Sequence, residues 1–551
     1  MRTKWLALAT ATLAAVALSA CGAGKKDNGS SSAPNGGGTA VTSGGSTSNG
    51  TITIGTTDQV IALDPAGAYD FGSSFFINNL YQFLMNVPAG QKTPQPDAAQ
   101  SCSFTKPTEY TCTMKPGLKF SNGDPLTAKD VAFSYTRIVK IADPNGPSSL
   151  LANMKSVSAP SDSKVVFTLK NANDQTWPYI LGTAAGPIVD SKVFPADKEL
   201  PDSQIVGSGP YKLVSFDKNQ QASLTANTNY TGPNTPKTQN IIVKTYSESS
   251  NLKLNIQSGD IDIAYRTLTP SDIQSLASDS NVKVIKGAGG ELRYIVFNFN
   301  TMPGANDQQK EAIRKAMAYS VDRNALANDV YKGTYQPSYS MVPPGIKGAT
   351  TPFKDVYGTT PNPAKAKALL QQAGVKTPVS LNIEYTTDHY GPTSPQEYGA
   401  IKRQLEATGL FKVTLGSALY TVYSPARVKD TYPIYQLGWF PDYVNADDYL
   451  SPFLVPDNFV SAHYCDAKAP VGSRPCDKDK VAPLLTQEET HTGATADQAL
   501  AKIQNILATG QMPYLPLLSG YQVAVTRTNI SGVQETLDPT YQFRFWMLSK
   551  S

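Results

Sequence analysis

Side chains able to do chemistry are few in this chain, and their spacing says mostly what they do not build. The three histidines, His389, His463 and His491, stand too far apart for any two to share a helix face at i, i+4 as metal ligands. No His-Glu-x-x-His, Gly-x-Ser-x-Gly, phosphate-loop or dinucleotide-loop pattern occurs. No enzyme activity, cofactor or metal is therefore expected. The five cysteines are more informative. Cys102 and Cys112 sit symmetrically about Pro107, and the alternating stretches Ser101 to Thr105 and Glu109 to Met114 form a hairpin that opposes them. Cys465 and Cys476 bracket a loop containing Pro470, Gly472 and Pro475. Neither pair has Cys-x-x-Cys spacing. As disulfides, each would close a short loop and contribute roughly 2–3 kcal/mol in the chain-entropy model. Such bonds persist in oxidising compartments. Four free thiols are the alternative. Cys21 is left over.

The leader gives Cys21 a context. Arg2 and Lys4 precede an uncharged apolar run from Trp5 to Val16, closed by Leu18-Ser19-Ala20. A basic head, a short apolar core and small residues make residues 1–20 a secretory signal, too short to span a membrane comfortably. An uncleaved signal anchor is the alternative. The ending Leu-Ser-Ala-Cys-Gly resembles a bacterial lipobox, which implies that Cys21 becomes the lipidated first residue of the mature chain. Two or three acyl chains hold a protein firmly at a membrane, at ~0.8 kcal/mol per buried CH₂, whereas one holds it only marginally. An unpaired thiol is the alternative for Cys21. Residues 21–50 are mostly Gly, Ser, Thr and Asn with almost nothing to bury, hence a flexible tether. Loss of Arg2 and Lys4 takes the formal net charge from +4 to +2, too near neutral for a nucleic-acid partner.

From Thr51 onward the composition is that of a folded protein, and roughly 500 residues imply two or three lobes rather than one core. Ile52 to Thr56, Lys164 to Leu169, Ile241 to Tyr246 and Tyr294 to Phe299 read as strands from their β-branched and aromatic content. Thr127 with Asp130 is a capping box opening a helix from Ala128 to about Val139. Asn362-Pro363 starts a helix that Gly374 ends, and Ser394-Pro395 starts another that Gly409 ends. Ile313, Ala316, Met317 and Val321 form one apolar stripe. The fold class is mixed α/β.

Longer patterns sharpen this. The segment from Tyr110 through Lys115-Pro-Gly-Leu-Lys-Phe120, Asn122-Gly-Asp124 and Asp130-Val131 resembles the signature of the oligopeptide- and dipeptide-binding proteins of ABC importers, family 5 of the extracellular solute-binding proteins. Further matches occur in the family's order: Leu63-Asp64-Pro65, Gly207-Ser-Gly-Pro-Tyr211, Ser258-Gly259-Asp260, Phe297-Asn298, Ile313-Arg314 to Arg323, Pro363 to Gly374, Leu437-Gly438-Trp439-Phe440-Pro441-Asp442, and Met512-Pro513-Tyr514. The resemblance covers essentially everything after the tether. It implies a periplasmic-binding-protein-like type II fold, two hinged α/β lobes with an inserted domain. The expected segments are 51–90 with 190–293 and 512–551 for lobe I, 91–189 for the insert and 294–511 for lobe III.

The resemblance also implies a site. The aspartate of its Trp-x-x-Asp motif, here Asp442, would pair with a ligand's α-ammonium group, because a buried ammonium is costly unless a carboxylate meets it. Trp439 would supply a wall that faces the cation and excludes water, with Phe440 beside it. Tyr69 and Asp70 would reach the ligand from lobe I, and Asn298 and Phe299 from the start of a ligand-facing strand edge. The expected protein is a monomer on the outer face of the cell membrane, held by its lipid anchor. It would bind short peptides and deliver them to a permease and ATPase. Phe440-Pro441 and Asn445-Ala446 depart from the small-residue and Asp-Pro forms common around the motif. An oligosaccharide, an opine or a metal chelate thus stays open as the solute, and a surface hydrolase or a sensor stays open as the class.

Overall fold

Three larger sheets carry the chain in the computed structural model, which describes residues 50–456, 460 and 462–551. The signal, Cys21 and most of the tether lie outside the described residues. The first sheet has seven strands in the order Val282–Gly287, Gln522–Arg527, Ile263–Tyr265, Thr51–Thr56, Asn240–Thr245, Gln221–Ala226, Tyr211–Asp217. Thr51–Thr56 lies at its centre, parallel to both neighbours, with Ile52 and Ile54 fully buried. The second has six strands in the order Tyr335–Pro337, Tyr514–Gly520, Leu292–Phe297, Ile434–Trp439, Val379–Thr386, Phe411–Ala418. Leu292–Phe297 is buried along its whole length.

A separate four-stranded antiparallel sheet spans Ala99–Lys106, Glu109–Met114, Lys164–Leu169 and Met154–Ser161. Its first hairpin sets Cys102 opposite Cys112, whose sulfurs lie at bonding distance. Cys465 and Cys476 are likewise at bonding distance. Helix Ala128–Ile141 packs on this sheet from a capping box, with Thr127 N donating to Asp130 Oδ2 at 2.9 Å. That helix also explains the Leu-Asp-Pro motif. Asp64, fully buried, takes both Arg137 Nη atoms at 2.7 and 2.6 Å and the Leu200 amide at 2.7 Å. The motif therefore clamps the four-stranded unit onto the first sheet. Gly207 and Gly209 run against the backbone of Leu80, where an added Cβ would come within 1.9 and 2.5 Å of it.

The chain crosses between the first two sheets twice, at points far apart in sequence. One crossing joins Val282–Gly287 to Leu292–Phe297; the other is Tyr521, between Tyr514–Gly520 and Gln522–Arg527. The crossings touch: Gly520 N donates to Glu291 O at 3.0 Å, and a Cβ on Gly289 would lie 1.9 Å from Gly520 O. Residues 512–520 thus go with the second sheet, against the expected assignment of 512–551 to lobe I. The motif Met512-Pro513-Tyr514 looks like the start of the C-terminal return, but the buried strand after it pairs with Leu292–Phe297.

Candidate functional site

In the second sheet Val379–Thr386, Phe411–Ala418 and Ile434–Trp439 run parallel, so the loops after them leave from one edge. Open α/β sheets hold ligands at such an edge. Trp439 ends its strand opposite Leu292, beside the crossing segments. The chain then turns through Phe440, Pro441 and Asp442 into the short 3₁₀ turn Ala446–Tyr449, whose Asp447 amide is capped by Asn445 Oδ1 at 3.3 Å. Asp448, 1% exposed, fixes this loop. Its Oδ2 accepts the Trp439 indole N–H at 3.0 Å and the Asp442 amide at 3.2 Å.

Asp442 meets the other half of the molecule directly. The Tyr69 hydroxyl donates to Asp442 Oδ1 at 2.6 Å, joining residues 373 apart in sequence. Although Tyr69 is 39% exposed, its hydroxyl end is turned onto this carboxylate. Helix Phe71–Leu80 positions Tyr69, and Asp70 is that helix's N-cap, with Oδ1 accepting Ser73 N at 2.9 Å. Next to it, Phe71 meets Phe440 edge-on at 4.7 Å, and both rings face Tyr541 at 5.4 and 5.9 Å. The Arg266 guanidinium lies 4.4 Å over Phe71 and 5.7 Å from Phe440, and its Nε is 2.8 Å from Asp58. At this point the two halves touch through the Tyr69–Asp442 hydrogen bond and an aromatic–guanidinium cluster.

Burial pushes the Asp442 carboxyl up to about 6, while the Tyr69 hydrogen bond pulls it down. Burial and then the charge of Asp442 push Asp448 well above the carboxylate range. Burial and the facing carboxylate push the Tyr69 phenol up as well. Among the described residues no lysine, arginine or histidine forms an ion pair with Asp442; its partner is a neutral hydroxyl. Such a carboxylate beside an indole can take a cationic group.

Behind this loop lies a second acidic contact. Gln175 N, from the four-stranded unit, donates to Glu489 O at 2.9 Å, and Tyr179 packs on Tyr443 with ring centres 5.7 Å apart. Glu488 and Asp447 face each other as acids at this contact. Burial first, then Asp447, pushes Glu488 up. Burial with Asp447 and Asp174 pushes Glu489 up to about 7.

The structure brings Tyr69, Trp439, Phe440 and Asp442 together but not Asn298 or Phe299. Strand Leu292–Phe297 runs antiparallel to Ile434–Trp439, so Phe297 faces Ile434 and the following residues lie roughly 20 Å along the strand from Trp439. Asn298 is fully buried, donating to Asp430 Oδ1 at 2.9 Å and accepting the Asn300 amide at 2.9 Å. Phe299 packs under Arg314, 4.2 Å away, and against Tyr464. Both therefore build a turn. Asp70 caps a helix, and Phe440 packs against Phe71. Sequence reasoning missed Phe71, Arg266, Tyr541 and Asp448. The adjacent acids Asp447-Asp448 were the one local signal; the others come from distant segments. Among the described residues no group of His, Cys, Asp or Glu is arranged to hold a metal ion, and no helix is long and apolar enough to cross a membrane.

Comparison with known proteins places this architecture. The family model for bacterial extracellular solute-binding proteins, family 5, matches residues 93–461. The dipeptide-binding protein DppE of Bacillus subtilis (strain 168) is 26% identical over 430 residues, covering 72% of this chain and 75% of its own. The ABC transporter-associated periplasmic binding protein DppA from Helicobacter pylori, solved in complex with the peptide STSA, superposes with a TM-score of 0.73 at 20% identity, over 91% of this chain and 98% of its own. NikA from Brucella suis, solved in complex with Fe(III)-EDTA, gives a TM-score of 0.78 at 20% identity, over 91% of this chain and all of its own. At these identities the two structures speak for the fold.

Proposed function

The chain belongs to family 5 of the bacterial extracellular solute-binding proteins, and on that premise we propose that it is the substrate-binding component of an ABC-type importer. It takes up short peptides outside the cell and passes them to a permease and its ATPase. The first sheet with its helices forms one lobe (51–90, 190–287 and 522–551), residues 91–189 form the insert, and 292–520 form the other lobe. Closure about the two crossings brings a ligand between Asp442 and the Tyr69 loop. The similarity to a dipeptide-binding protein over 72% of this chain supports peptide as the solute. The leader supports an anchor through Cys21 at the outer face of the membrane.

The observation that carries the assignment is Asp442 itself, a part-buried carboxylate at the meeting of the halves, raised to about 6 and facing a neutral hydroxyl where a cation would be more favourable. A peptide's α-ammonium group supplies that cation, and burial makes their attraction far stronger than in water. The test has two arms. Mass spectrometry identifies what co-purifies with the protein, and calorimetry compares tri-alanine with N-acetyl-tri-alanine. Acetylation should weaken binding at least about 100-fold. Equal affinity for both would remove the ammonium role, and co-purification of a non-peptide solute alone would remove the peptide.

A further inference from the structure

One hydrogen bond spans the two halves at the proposed site itself. Asp442 extends from the loop after Trp439 and Tyr69 from the loop before helix Phe71–Leu80, and they meet in a 2.6 Å hydrogen bond. Asp442 is not simply left waiting for a ligand: a neutral donor belonging to the protein already satisfies one of its oxygens. The donor comes from the half that must move if the molecule opens. Tyr69 is otherwise lightly held, with 39% of its surface exposed, so its ring can swing without unpacking a core. Asp442 by contrast is fixed from behind, because Asp448 holds its amide and the Trp439 indole.

We propose that Tyr69 is an internal stand-in for the ligand's cationic group, latching the ligand-free molecule shut through Asp442 and setting which solutes can displace it. The proposal rests on the reading of Asp442 as the ligand's anchor. Its physical content is a competition. An incoming group must replace a short hydrogen bond to a part-buried carboxylate, worth more than an ordinary neutral one. An ammonium group replaces it with a full charge and gains; an amide or hydroxyl only matches it and still has to open the lobes. The latch thus sharpens selection for cationic ligands and keeps an empty site closed to neutral ones. It also shields Asp442 from water in the absence of ligand, in keeping with the raised carboxyl and phenol.

The competition fixes the sign of one experiment. Tyr69→Phe removes the hydroxyl and keeps the ring. Its tri-alanine affinity, by calorimetry at pH 7.5, should rise roughly tenfold or more, since the hydrogen bond no longer has to be broken. Hydrogen exchange of ligand-free protein in the segments 66–75 and 439–447 should become faster than in the wild type, because the latch is gone. Asp442→Asn serves as a second variant: its amide oxygen still accepts the hydroxyl, so exchange in those segments should stay slower than in Tyr69→Phe. An unchanged or lower affinity in Tyr69→Phe would overturn the proposal, because Tyr69 would then be a bystander or a ligand contact. Unchanged exchange in the ligand-free variant would overturn it equally. If tri-alanine binds neither protein, the peptide reading fails, and the exchange comparison alone decides the latch.

Discussion

Replacing Asp442 by asparagine should weaken the binding of a free-amine peptide and at the same time make the ligand-free protein harder to melt. The two effects share one cause. In the folded protein the Asp442 carboxyl sits at about 6 against an ordinary 3.8, so keeping it ionised at pH 7 costs roughly 3 kcal/mol at 1.36 kcal/mol per unit. The sign follows from the raised value. Between pH 3.8 and 6 the folded state binds more protons than the unfolded chain, so this group's contribution to stability falls as pH rises and levels off above 6. Asparagine carries no such cost and still offers Tyr69 an acceptor. For roughly 500 ordered residues, about 3 kcal/mol corresponds to a rise in melting temperature of about 3 °C. Binding moves the other way. Loss of one partner of a buried ion pair costs about 3–5 kcal/mol, or roughly 100-fold or more in Kd. In the wild type an ammonium partner lowers the carboxyl's pKa on binding, so binding releases a proton below pH 6. Affinity should therefore hold above pH 7 and fall about tenfold by pH 5. Scanning calorimetry of the ligand-free proteins and titration calorimetry with tri-alanine between pH 5 and 8 read both. A variant that binds as tightly as wild type, or that melts earlier, would show that Asp442 is not a strained anchor.

Other substitutions separate architecture from recognition. Asp64→Asn leaves the Arg137 guanidinium buried without its bidentate partner and should destabilise the insert's attachment by about 3–5 kcal/mol, seen as earlier proteolysis between residues 91 and 189. Asn298→Ala should lower the melting temperature through its orphaned turn amides yet leave tri-alanine affinity within about twofold, because the residue lies far from Asp442. Glu488 is raised above its ordinary 4.5 by burial and Asp447, so its contribution to stability declines as pH climbs from 4.5 through neutrality; Glu488→Gln should flatten the melting temperature between pH 5 and 8.

Local punctuation was readable from the sequence, and distant pairing was not. The Thr127–Asp130 box, Asn362 ahead of Pro363 and the left-handed Gly374 and Gly409 mark helix ends where they occur, because each acts through its own neighbours. The Trp439–Asp442 loop was pointed to only through the family resemblance, not by its own neighbours. Register was not legible: whether Asn298 lies at Trp439's end of its strand depends on antiparallel pairing with Ile434–Trp439, which nothing within six residues encodes. The same limit placed residues 512–520 with the wrong sheet. The contact of Tyr69 with Asp442 joins residues 373 apart, which no local pattern encodes.

The paired crossings at Gly289 and Tyr521 have a mechanical consequence. Two short ropes lashed to each other by the Gly520–Glu291 bond would hold any swing of the sheets close to a single axis, much as two knuckles on one pin restrict a gate. Slack in either rope would add sideways play, and the Tyr69 hydroxyl would then meet the Asp442 oxygen only by chance. Repeatable arrival of one atom at another, from loops hundreds of residues apart, is what so tight a pivot provides.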